Sequence, residues 1–184
     1  MEKLDIKPAY RHSKFGTFMF NICAKWTKFL VKHRWLFYLL ACTWGILMTL
    51  LGLLISGVLG IARIFTKKIK FEKYYWVYDI KVGPDYWGGF DCGLNFLRDQ
   101  KSPEAYLNTH EFGHAIAQNT LFGPFFIFLI AIPSAARWWY QEIRERKGKS
   151  NKPYDSIWFE DSASQCGEYA IAYIKAKSDE KVAK

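Results

Sequence analysis

Residues 102–120 read SPEAYLNTHEFGHAIAQNT, and His110-Glu111-Phe112-Gly113-His114 within them is an HExxH pentapeptide. The flanks make this stretch a helix. Ser102 is a good N-cap, Pro103 suits the first helical position, and Glu104 favours the positive end of the helix dipole. The pattern predicts a helix to about Thr120, stopped by Gly123-Pro124. Residues four apart share a helix face, so both imidazoles can reach one metal ion. Glu111 lies beside them, placed to take a proton from a metal-bound water. Zinc suits such a site, because it lowers the pKa of water towards ~7 and polarises a carbonyl. Histidine is scarce, with four in the chain, and two of them fall at ligand spacing. His12 and His33 lie in a basic N-terminal part and read as surface or interface residues.

The best third ligand is Glu160, in WFEDSASQCG at 158–167. On a helix Ala163, Ser164 and Gly167 share its face, and small residues there let that helix approach the HExxH helix closely. HExxH followed by E-x-x-A-x-x-x-G resembles the gluzincin metallopeptidases. It is most similar to the membrane-associated branch that includes the HtpX-like and CAAX-prenyl proteases. The resemblance covers about residues 104–120 and 157–170. It implies a zincin-like domain of α+β class, zinc held by His110, His114 and Glu160, and Glu111 as general base. It also implies a peptide or protein substrate held extended along a strand before the HExxH helix, here 88–97.

The family reads E-x-x-A-D-x-x-G, and Ser164 stands where that Asp orients a zinc-binding imidazole from behind. Ser164 itself, Asp161 and Asp155 are the groups open to that role. Two functions are therefore expected: a zinc metallopeptidase, or a non-catalytic membrane protein that keeps the scaffold for binding or assembly. Gln118, one turn past His114, reads as a polar helix residue rather than a substrate contact. Gly88-Gly89 reads as a turn or bulge, since no helix start follows it as a phosphate loop requires.

Residues 35–62 contain no charged side chain, which reads as a single membrane span. As one straight helix the run would reach ~42 Å, enough to cross with tilt. Its glycines, Gly45, Gly52, Gly57 and Gly60, make a re-entrant hairpin the lesser alternative. The net charge of +9 is concentrated on its flanks. Residues 1–34 carry eight Lys or Arg against Glu2 and Asp5, and Arg63, Lys67, Lys68, Lys70 and Lys73 follow the run. Such flanks meet anionic lipid head groups. The longer N-terminal excess leans towards a cytoplasmic N-terminus. Nothing interleaves Arg with base-stacking aromatics, so nucleic acid is not an expected partner. Eight Trp and 18% aromatics fit a protein at a bilayer interface. The four cysteines have no ligand spacing and read as free thiols.

Three regions follow: a basic amphipathic juxtamembrane segment at 1–34, a span at 35–62, and a zincin-like domain at 70–184. In the last, 71–82 reads as one strand, Gly83-Pro84-Asp85 as a turn, and 88–97 as a second, Gly-interrupted strand. The apolar run 125–136 is too short to span and contains Pro133, so it reads as a buried or interfacial helix. Trp138, Trp139 and Tyr140 read as interface anchors in a following basic surface helix. A final helix is expected from 155 or 157 to 176.

Overall fold

The computed structural model describes residues 5–83 and 87–182. Pro84 and Asp85 of the expected turn lie outside the described residues, as does the side chain of Glu104. The class is α+β, with helices around a four-stranded mixed sheet.

The stretch read as one strand at 71–82 is a hairpin of β1 (Lys70–Tyr74) and β2 (Val77–Lys81), with Tyr74 opposite Val77. Tyr75 turns the chain at φ +49° without a glycine, which is why composition hid the break. Its neighbour Trp76 is buried in the main core with Phe37 and Phe112. The stretch at 88–97 is likewise two strands, β3 (Gly89–Asp91) and β4 (Asn95–Arg98), reversed at Gly93 with φ +76°. β4 runs parallel to β2, giving the order β1-β2-β4-β3 and leaving β3 at an edge.

The HExxH helix, α4 (Glu104–Gly113), continues through a wide turn at His114–Asn119 into α5 (Thr120–Phe122) and ends at Gly123 with φ +55°. Its start differs from expectation. Pro103 is the N-cap residue, and the Ser102 hydroxyl instead donates to Asp99 Oδ2 at 2.5 Å. Asp99 also accepts the backbone N–H of Gly88, Lys101 and Ser102, so one carboxylate organises the entry to the helix. Sheet and helix are tied together from inside. Buried Arg98 donates from Nε to both Asp79 oxygens at 3.1 and 2.9 Å, and Asn108 donates to the same carboxylate at 3.1 Å.

The uncharged run at 35–62 is not one helix. Its first part is α2 (Arg34–Cys42), whose Phe37 and Ala41 are buried in the core, and its second is α3 (Ile46–Phe65). Between them Trp44 donates to the Leu121 carbonyl and packs on Gly123, while Gly45 lies against Asn119. Among the described residues α3 alone is by itself long and apolar enough to cross a membrane, and little of it is buried. Its first half docks on the sheet, where Asn95 donates to the Gly52 carbonyl and to Ser56.

Much of the basic N-terminal part packs on the rest of the chain. The face of α1 (Lys14–Leu30) that carries Phe20, Cys23, Ala24, Thr27 and Leu30 is buried, while Phe15, Phe18 and Phe29 stay exposed. Its partner is the last helix, α7 (Trp158–Val182), longer at its end than expected. The His12 side chain is buried rather than at the surface, with Nε2 at 2.7 Å from Asp161.

The expected helix at 125–136 and the basic surface helix after it form one rod. It runs through a wide-turned segment at Ile127–Ala131 into α6 (Ile132–Arg146), and Tyr106–Phe125 and Ile127–Arg146 meet at a bend of 110°. Exposed on it are Phe128, Leu129, Ile132, Trp138, Trp139 and Tyr140. The four cysteines are free.

The central packing event is α4 against α7. A Cβ on Gly113 would run into the Ala163 carbonyl, and one on Gly167 into the Thr109 carbonyl. Because those obstacles are backbone, Gly167→Ala is expected to destabilise the fold by about 1–3 kcal/mol in chemical denaturation. Gly57→Ala, which points into open space from within α3, should not lower the midpoint, because alanine favours the helix.

Candidate metal centre

One turn of α4 separates His110 from His114, and the α4–α7 crossing brings Glu160 to both. Glu160 Oε2 is 3.0 Å from His110 Nε2 and 3.3 Å from His114 Nε2, and the two Nε2 atoms are 3.1 Å apart. All three residues are buried, and the group can hold a metal ion. Four ligands at ~2.0–2.1 Å around a tetrahedral ion stand ~3.3–3.4 Å from one another, close to these separations.

Which ring nitrogens carry protons follows from the groups behind them. Gln118 donates its amide to the Phe159 carbonyl at 2.6 Å and to Ser162 Oγ at 2.8 Å. That fixes Gln118 Oε1 towards His114 Nδ1, 2.6 Å away, so this nitrogen is the donor. The Ser164 hydroxyl donates to Asp155 Oδ2 at 3.0 Å, so towards His110 Nδ1, at 2.8 Å, its oxygen can only accept. In their neutral forms both imidazoles thus carry hydrogen on Nδ1 and turn a lone pair on Nε2 inwards. In that form two lone pairs and a carboxylate oxygen converge on one buried point, which a metal ion, or a proton shared with Glu160, relieves. Glu160 Oε1 is buried, and the Tyr154 hydroxyl lies close enough to interact with this carboxylate.

Ser164, Asp155 and Asp161 separate in role. Ser164 touches the imidazole, and Asp155 stands directly behind Ser164. Asp155 also accepts the Tyr106 hydroxyl at 2.7 and 2.6 Å. Asp161 faces the other way, accepting the backbone N–H groups of Ala9 and Tyr10 and bonding His12. It therefore anchors the N-terminal segment and does not orient a ligand.

Glu111 faces β3. A Cβ on Gly89 would press on its carboxylate, and the backbone N–H of Asp91 donates to it. Burial pushes the Glu111 carboxyl up to about 7, partly opposed by the His114 imidazole and reinforced by Glu160. Burial, with Glu111 nearby, likewise raises Asp91 well above the ordinary range. His110, Glu111 and His114 form one wall of a cavity of about 380 Å³. Its other walls are mostly apolar: Phe90, Leu107, Phe126, Ile130, Ala135 and Trp138.

The sequence reading missed Gln118 as support for His114, although its position four residues after the ligand was the available signal. Gly89, Asp91 and Tyr106 carried no signal, since only folding brings them to the site. No family model matches the chain, and neither a curated protein nor a solved structure matches it at a significant level.

Metal analysis of purified protein is expected to find about one divalent ion per chain, lost in His110→Ala and in Glu160→Ala. Gln118→Leu should bind the ion about 10–100-fold more weakly in a chelator competition, because the His114 tautomer is no longer fixed.

Proposed function

We propose that this chain is a membrane-anchored zinc metallopeptidase that hydrolyses peptide bonds, of the gluzincin type its HExxH and Glu160 segments resemble. The observation that carries the reading is the convergence of His110 Nε2, His114 Nε2 and Glu160 Oε2 beside Glu111 at the wall of a cavity. Two imidazoles and one carboxylate are a catalytic zinc ligand set, leaving a fourth position for water or substrate. Zinc, when bound, supplies Lewis acidity towards a carbonyl and a water of lowered pKa. Glu111 takes the proton of the attacking water and hands it to the leaving amine, a task suited to a carboxyl held near neutrality by burial.

The edge position of β3 supports a substrate in extended form, since an edge strand has unpaired backbone groups to offer a peptide. The apolar walls of the cavity favour an uncharged, bulky side chain beside the cleaved bond. Anchoring rests on the length and hydropathy of α3, with Arg63, Lys67 and Lys68 at its end for lipid head groups. The exposed apolar side chains of the rod at 127–146 suit a place at the same bilayer. The non-catalytic scaffold reading drew on Ser164 as one of two motives, the other being the small size of the domain. The first motive weakens once Asp155 stands behind the serine.

Digestion of a peptide library by the detergent-purified protein decides between the two. Cleavage by the wild type that Glu111→Gln abolishes, with zinc still bound, is the expected result; no cleavage by zinc-loaded wild type would favour the scaffold. Ala135→Trp, which fills the cavity, should lower kcat/KM at least about tenfold for substrates with a bulky apolar residue at the cleaved bond, without loss of zinc.

A further inference from the structure

The loop between α6 and α7 touches the metal group at one remove and is itself held by α6. Arg137 donates from Nε to the Tyr154 carbonyl at 2.9 Å, and from Nη2 to the Pro153 carbonyl at 2.8 Å and Ser156 Oγ at 2.9 Å. Ser134 Oγ and the Tyr154 hydroxyl are 2.7 Å apart. These bonds bracket Asp155 on both sides along the chain. From there the line runs to Ser164 and then to His110 Nδ1.

We propose that Asp155 is the positioning carboxylate for His110, acting through Ser164, and that Arg137 holds it there. The inference rests on the proposed zinc site and adds its regulation: metal retention depends on how α6 grips the 153–156 loop. The chemistry is directional. A serine hydroxyl by itself can donate or accept, so it leaves the His110 tautomer free and allows hydrogen on Nε2, where it competes with the ion. Once the hydroxyl is committed to a carboxylate it can only accept, Nδ1 must donate, and the Nε2 lone pair is fixed inwards. A serine and a carboxylate from a different segment thus do together what one aspartate at 164 would do alone. The helix that fixes that segment buries none of its residues in the domain and exposes Trp138, Trp139 and Tyr140. Whatever shifts α6 therefore also shifts the zinc affinity.

The test is zinc affinity of the full-length protein in detergent, by competition with a chromophoric chelator, with the d–d absorption of the cobalt-loaded protein reporting the ligand field. Asp155→Ala is expected to weaken zinc about 10–100-fold and alter the cobalt spectrum, and Asp155→Asn to do so less. Adding Ser164→Asp to Asp155→Ala supplies the carboxylate directly and should restore affinity to within about threefold. Arg137→Ala should weaken zinc in the wild-type background and have no effect in the Asp155→Ala, Ser164→Asp protein. Wild-type affinity in both Asp155 variants overturns the proposal, and so does a loss that Ser164→Asp fails to recover. A wild-type chain that takes up no zinc overturns the proposed function with it, whereas zinc-loaded wild type with unaffected Asp155 variants sinks the relay alone.

Discussion

Two helices cross here with backbone against backbone, and the site depends on that crossing. Gly113 lies on the Ala163 carbonyl and Gly167 on that of Thr109, with no room for a methyl group at either place. The HExxH helix supplies two imidazoles on one face, but the carboxylate must come from elsewhere. Only at this close approach does the short side chain of Glu160 reach both Nε2 atoms. The glycines are thus part of the metal centre, although neither touches it.

Close approach alone would leave two rings free to turn. What fixes them is a set of hydrogen bonds in which each acceptor has its own donors already committed. The Gln118 amide is held by α7, and the Ser164 hydroxyl by Asp155. Each imidazole is therefore forced to donate outwards and to present a lone pair inwards. Such convergence of acceptors in a buried space is unfavourable until a metal ion or a proton sits among them. Glu111 belongs to another environment. It packs on the glycine of an edge strand and takes its raised pKa from burial, which sets it apart from the three residues that can hold an ion.

The apolar exterior follows a different logic from the core. α1 and α2 are rich in aromatics, and much of that surface is used internally, Phe20 against α7 and Phe37 against Trp76. α3 and the rod at 127–146 do not fold their apolar side chains inwards; both leave large residues in the open. Met48 of α3 and Ile130 of the rod, by contrast, belong to one buried cluster with Phe126 and Phe159. The rod also lines the cavity beside the His110, His114 and Glu160 group.

Local pattern sufficed for some of this. Residues 110–114 placed both imidazoles on one face because helical spacing is a property of the chain itself. The small residues after Glu160 announced a close helix contact for the same reason. An uncharged run of apolar residues marks itself as unsuited to water whatever surrounds it, although its length did not reveal the break at Trp44 and Gly45, which tertiary contacts impose. Two hairpins were hidden inside apparent strands, since Tyr75 reverses the chain in a conformation that its residue type disfavours. The placement of Asp155 rather than Asp161 behind Ser164, the burial of the His12 side chain, and the facing of Gly89 against Glu111 were decided only by the fold. Each joins residues distant along the chain, and a hydrogen bond has a direction and a reach that no spacing within a single segment can encode.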